Sequence, residues 1–184
     1  EWYESLEKQI STLFDLYKNR EEFMDEFKNF ITFIKNLRGI AYFTGVGKSG
    51  FVAEKVASTY NSLGIRSCFI DPVDTLHGDM GIFSKEDATI FISKSGETKE
   101  LFKLFDELKN RGIKIIAVTA NKNSYISENA DLRLIIPIKS EGDFLNDIVP
   151  LASTITFEAV LQSLAVEIAS SRGFTIKDFL YRHP

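Results

Sequence analysis

Ser93-Lys94-Ser95-Gly96-Glu97-Thr98 follows the apolar run Ala88-Thr89-Ile90-Phe91-Ile92 and precedes a helical pattern from Lys99 to Lys109. A buried strand therefore ends in small hydroxyl residues, and a helix starts where they stop. This is a favourable setting for an anion. The free N–H groups of a first helical turn point outward, and Ser93, Ser95 and Thr98 can add hydroxyl donors around them. Gly96 permits close backbone approach. The competing reading is an ordinary cap, with Ser95 or Thr98 accepting from the first turn.

The strand-then-helix grammar recurs on both sides of this hexapeptide. Ile40 to Thr44 reads as a strand, followed by the loop Gly45-Val46-Gly47-Lys48-Ser49-Gly50 and a helix from about Phe51 to Leu63 that stops at Gly64. A short strand at Ser67 to Ile70 leads to an irregular segment, Asp71 to Ile82. Lys114 to Thr119 and Leu132 to Ile138 are further strands, with a short helix at Asn121 to Asn129, capped by Asn123 or Ser124, between them. A long helix spans about 151–171 after the loop 140–150, with Ile155, Ala159, Leu161, Leu164, Ala165 and Ile168 available for burial. Ahead of all this, residues 4–18 and 21–37 carry apolar residues at helical spacing: Leu6, Ile10, Leu13, Phe14 and Tyr17, then Phe23, Phe27, Phe30, Ile31 and Ile34. Each amphipathic helix is expected to pack on the chain's own core, with a dimer interface as the second use of so many aromatics. Five short apolar strands alternating with helices predict an α/β fold with a doubly wound parallel sheet, whose ligand site lies where strands end at a topological switch point. The loops 45–50, 71–81 and 93–98 all leave strand ends. We expect one domain over 1–184: N-terminal helices 1–38, an α/β core 39–171 and a tail 172–184.

Composition narrows the partners. Among 184 residues, 22 basic and 26 acidic side chains give a net charge of −4, so charge supplies no case for nucleic acid or an anionic membrane. No apolar run reaches the ~20 residues of a membrane span, and residues 1–20 do not read as a signal peptide. The single cysteine, Cys68, excludes an internal disulfide and fits a cytoplasmic protein. Within Cys68-Phe69-Ile70 it reads as a buried structural thiol.

Gly45 to Gly50 lacks the four-residue spacing of a nucleotide P-loop. It does match G-x-G-x-x-G, which is weak evidence alone, and Asp71 is only approximately placed for a ribose. Lys48 would project where the crevice opens. Two histidines, His77 and His183, are too few for a closed metal site, and no zinc spacing is present. Taken alone, His183 reads as a solvated tail residue. Glu97, the one carboxylate in the hexapeptide, is either a favourable charge at a helix start or a general base facing a ligand.

Four segments together carry a resemblance: Gly45 to Gly50, Leu76-His77-Gly78-Asp79-Met80-Gly81, Ser93 to Thr98, and Arg172-Gly173-Phe174-Thr175 with the ending His183-Pro184. Over about residues 30–184 they resemble the sugar isomerase (SIS) domain, arabinose-5-phosphate isomerase type. The resemblance implies a five-stranded, flavodoxin-like parallel sheet flanked by helices, assembled as a homotetramer in the cytoplasm. It implies interconversion of D-ribulose 5-phosphate and D-arabinose 5-phosphate through an enediolate for Kdo, lipopolysaccharide or capsule synthesis, with no cofactor and no metal. By position, the family's active-site residues fall on Lys48, His77, Glu97 and His183, with His183 reaching a neighbouring subunit. Phosphate-binding hydroxyls fall on Ser49, Ser93, Ser95 and Thr98, and further substrate contacts on Gly47, Ser153 and Thr154. Two features depart from the pattern. The loop from Glu141 to Pro150 is more acidic and bulkier than the small-residue loop the family carries there. Many members also continue into a CBS domain pair, whereas this sequence stops at Pro184, as a single-domain or shortened member would. The alternatives are a 6-phospho-3-hexuloisomerase and a non-catalytic sugar-phosphate sensor.

Overall fold

The structure is a computed structural model and describes residues 2–183; Glu1 and Pro184, including the last residue of the His183-Pro184 ending, lie outside it. Helix α1 (Trp2–Lys18), a 3-10 turn (Arg20–Phe23) and α2 (Met24–Asn36) precede strand β1 (Ala41–Gly45). Then follow α3 (Lys48–Ser62), β2 (Ser67–Phe69), α4 (Pro72–Leu76), a 3-10 turn (Asp79–Ile82), β3 (Ala88–Ile92) and α5 (Lys99–Asn110). The chain continues through β4 (Lys114–Thr119), α6 (Tyr125–Asn129), β5 (Leu132–Ile135), α7 (Ala152–Ser171) and α8 (Ile176–Arg182).

The sheet order is β2-β1-β3-β4-β5, and every pairing is parallel. Both faces are covered, which is why β1 and β3 are buried at every position and read as continuous apolar runs. Alternate side chains serve opposite layers. Ala41, Phe43, Ile90, Ile92, Ile116 and Val118 pack with α2, α3 and α7. Tyr42, Phe91, Ile115 and Ala117 pack with α5 and α6. The chain leaves β1 toward one edge and resumes at β3 on β1's other side, so the switch point lies between these two strands.

Most expected elements are present, with instructive differences. Helix α3 starts at Lys48, not Phe51, so Lys48 and Ser49 belong to its first turn. Gly47 makes this possible with φ 59° and ψ −126°, a combination L side chains disfavour. Cys68 is exposed rather than buried: β2 is a three-residue edge strand paired only with β1. Ile155 is also exposed, because it lies on the opposite side of α7 from the buried Ser153 and Phe157. Residues Ile176–Arg182 of the tail form α8, started by a capping box in which Thr175 and Asp178 exchange hydrogen bonds. Helix α1 buries Thr12 and Leu16 while Leu6, Ile10, Phe14 and Tyr17 stay exposed, the reverse of the packing expected from its apolar stripe. Among the described residues no helix is long and apolar enough to cross a membrane.

Candidate functional site

Two loops leave the switch point side by side, since Gly45 of β1 is in register with Ile92 of β3. The first is a glycine turn. A Cβ on Gly45 would stand 2.8 Å from the Ser49 carbonyl oxygen, and one on Gly50 would stand 2.9 Å from the Gly45 oxygen. The turn therefore folds tightly back on the helix it starts. Lys48 is exposed and Ser49 half-buried at the start of α3.

The serine loop is held by its own hydroxyls. Ser93 Oγ and Thr98 Oγ1 are 2.8 Å apart, Ser93 Oγ accepts from the Gly96 amide at 3.1 Å, and Ser95 Oγ accepts from the Glu97 amide at 3.1 Å. Thr98 occupies the N-cap position of α5 without capping it. Among the described residues, the Thr98, Lys99 and Glu100 amides have no protein acceptor. The first turn of α5 is thus left open as an anion site, beside hydroxyls with spare bonding capacity. Outside the loop, Ala120 N and Thr119 Oγ1 both donate to the Lys94 carbonyl at 3.0 Å.

The two carboxylates at the start of α5 diverge. Glu97 Oε1 accepts from the Tyr125 amide at 2.7 Å and so caps α6 from a distance of 28 residues. Glu100 instead lines a crevice of about 310 Å³ with Gly45, Gly47, Gly50, Phe51, Glu54 and Asp71. Of the site residues expected from sequence, Gly47 alone lines this crevice.

A second carboxylate escaped the sequence reading. Glu141 is fully buried. Its Oε2 accepts from the amides of Leu151 and Ser153, both at 2.8 Å, and Lys94 Nζ lies 2.8 Å from Oε1. Burial pushes its carboxyl up, but the Lys94 pairing and the hydrogen bonds from Ser153 and Leu151 outweigh that and hold it below the ordinary glutamate value. This group ties the loop before α7 to the serine loop and brings the buried Ser153 into the same assembly. The Thr154 hydroxyl donates to the Leu151 carbonyl at 2.8 Å. The signal available in sequence was a carboxylate eleven residues before a helix start (152 − 141), which spacing rules do not flag.

The histidines stand apart from this assembly. His77 follows α4 as its exposed C-cap. His183 stacks on Phe179, with ring centroids 4.0 Å apart, and its Nδ1 lies 2.9 Å from the Phe179 carbonyl oxygen. It lines a groove with Cys68, Ser58, Glu54 and Phe69 on the outer side of α3 and β2. Glu54 and Phe69 line both this groove and the crevice, so the two are neighbours. Among the described residues no group of three or more His, Cys, Asp or Glu could hold a metal ion.

A doubly wound sheet with a glycine turn and an open helix N-terminus at its switch point defines an α/β domain suited to an anionic ligand. Residues 38–168 match the SIS domain family, and the chain belongs to it. It is 36% identical over 181 residues to the arabinose 5-phosphate isomerase KpsF of Escherichia coli O6:H1, covering 98% of this chain and 54% of that protein. It is 39% identical over 160 residues to a probable arabinose 5-phosphate isomerase of Haemophilus influenzae, covering 87% of this chain and 47% of that one. The chain thus spans about half the length of the curated relatives it matches. An Escherichia coli CFT073 protein solved in complex with arabinose 5-phosphate superposes with a TM-score of 0.94 at 32% identity, covering 99% of this chain and 95% of that one.

Proposed function

We propose that the chain is an aldose–ketose isomerase that interconverts D-ribulose 5-phosphate and D-arabinose 5-phosphate and so supplies Kdo for lipopolysaccharide or capsule. The observation that carries this reading is the superposition of nearly the whole chain, at 32% identity, on a protein solved with arabinose 5-phosphate. The chemistry of the site is consistent with it. A phosphate fits the open first turn of α5 together with Ser93, Ser95 and Thr98, with Ser49 as a further hydroxyl from the first turn of α3. Moving a proton between adjacent carbons needs a carboxylate or similar base and a cation for the developing oxyanion. Lys48 is the cation. Glu97 of the serine loop and Glu100 of α5 are the candidate bases. The engagement of Glu97 with Tyr125 favours Glu100, which lines the crevice. Gly47, Ser153 and Thr154 shape the remaining substrate contacts.

His77 and His183 move protons on oxygen or open the cyclic sugar. His183 does so in a neighbouring subunit of a cytoplasmic homotetramer, a reading supported by its place on the outer side of α3. No metal or redox cofactor is required by this route.

The test is to incubate the purified chain with D-ribulose 5-phosphate in D2O and follow it by NMR. D-arabinose 5-phosphate carrying deuterium next to the carbonyl is the expected product. Binding without turnover would favour the sensor reading, and turnover only of a hexulose phosphate would favour the 6-phospho-3-hexuloisomerase. Glu100→Gln should abolish turnover while keeping ligand binding, whereas near-normal turnover in this variant with loss in Glu97→Gln would return the base to Glu97.

A further inference from the structure

Helix α1 presents a face that the fold leaves uncovered. Leu6, Ile10, Phe14 and Tyr17 follow one another at helical spacing and are 46%, 57%, 60% and 65% exposed, with Trp2 and Tyr3 extending the stripe at 77% and 51%. The opposite side of the helix is fixed to the body. Thr12 donates to the Ser140 carbonyl at 3.3 Å, Lys139 pairs with Asp15 at 2.7 Å, and a Cβ on Gly142 would stand 2.9 Å from the Ser5 oxygen. The exposed stripe is therefore a rigidly held apolar surface rather than a frayed end. Contiguous apolar surface of this kind marks an interaction site.

We infer that α1 lies antiparallel against α1 of a second copy, across a two-fold axis near Ile10. This deepens the homotetramer reading by naming one of its contacts. The pattern is self-complementary about Ile10, as an isologous contact requires. Leu6 meets the partner's Phe14, Tyr3 meets the partner's Tyr17, and Ile10 meets its own copy. Charge selects the direction. The edge of the stripe carries Glu4 and Glu7 near its start and Lys18 at its end. Antiparallel pairing sets the acidic end of one helix against Lys18 of the partner subunit, whereas parallel pairing sets like charges together. A membrane surface is the poorer occupant. Helix α1 carries Glu4, Glu7 and Asp15 against Lys8 and Lys18, a net −1 (2 − 3), where interfacial helices are rich in Lys and Arg.

The test is molar mass by size-exclusion chromatography with light scattering, on the whole chain and independent of turnover. Ile10→Glu changes an exposed position, so circular dichroism should be unaltered while the mass falls by half. Lys18→Glu should weaken association severalfold, and the charge swap Glu4→Lys with Lys18→Glu should restore it. A multimer whose mass is unchanged by Ile10→Glu overturns this contact and leaves the tetramer standing. A wild-type chain that is monomeric at about 100 µM overturns both. Halving by Ile10→Glu without rescue by the swap overturns the antiparallel pairing. Binding to phosphatidylglycerol vesicles that Ile10→Glu abolishes, with no change of mass, assigns the stripe to a membrane instead.

Discussion

The loops after β1 and β3 start about one strand spacing apart, ~4.8 Å, yet they are held in different ways. The glycine turn 45–50 is shaped by what is missing. Its backbone packs on itself because Gly45 and Gly50 carry no Cβ, while a Cβ on Gly47 would meet nothing within 4 Å. The serine loop 93–98 is shaped by what is present: four hydroxyls, counting Thr119, and clamps from β4 and α6. A Cβ on Gly96 would stand 2.0 Å from Ser124 Oγ. One loop leaves a lysine free to meet a ligand, and the other is braced on three sides so that a helix N-terminus stays open. Together an exposed lysine on one side and an open helix N-terminus on the other offer an anion two sources of positive charge.

The contrast can be broken at its strongest point. Gly96→Ala combines a φ of 68° with the clash against Ser124, and should cost about 3 kcal/mol or more by urea denaturation. A cost below about 1 kcal/mol would show that the serine loop is not braced. Glu141→Gln comes next. It removes the buried partner of Lys94, and since Lys94 can turn to water the cost should be about 2 kcal/mol.

That contribution depends on pH in a defined direction. The Glu141 carboxyl is depressed in the folded protein, so its stabilisation is present in full above the unfolded glutamate value of about 4.3. It is lost as pH falls through the lower folded value. The stability gap between wild type and Glu141→Gln should therefore close on acidification below about pH 4.3 and stay constant above it.

Gly47→Ala probes the other loop. With a φ of 59° but open space around the new methyl, it should cost only about 1–2 kcal/mol. A cost equal to that of Gly96→Ala would erase the distinction. The smallest effect on stability is expected for Lys48→Ala, within about 0.5 kcal/mol by thermal unfolding, because the side chain is exposed. The same variant should lose turnover, and retained turnover would remove Lys48 from the reaction.

Much of the scaffold was legible because the central strands β1, β3 and β4 are largely apolar runs bounded by turn residues, a local property. The serine loop was legible for the same reason. The sequence showed hydroxyls, a glycine and a helix start in six consecutive positions. The reading of α1 as a core helix failed on a different ground. Periodicity reports that a helix has an apolar face, not what covers it, and here the body takes the side carrying Thr12 and Leu16. Cys68 was misread similarly, since an edge strand and a central strand share one composition.

By itself, the sequence determined the parallel α/β scaffold, the glycine turn and the hydroxyl loop, since all three follow from short-range pattern and backbone sterics. Only the tertiary structure decided where the carboxylates point. Glu97 is drawn to the Tyr125 amide, Glu100 faces the crevice, and Glu141 sits buried between Lys94 and the start of α7. These assignments depend on groups 28, 47 and 10 to 12 residues apart in the chain. Electrostatic partners act through space, and sequence spacing alone does not encode that distance.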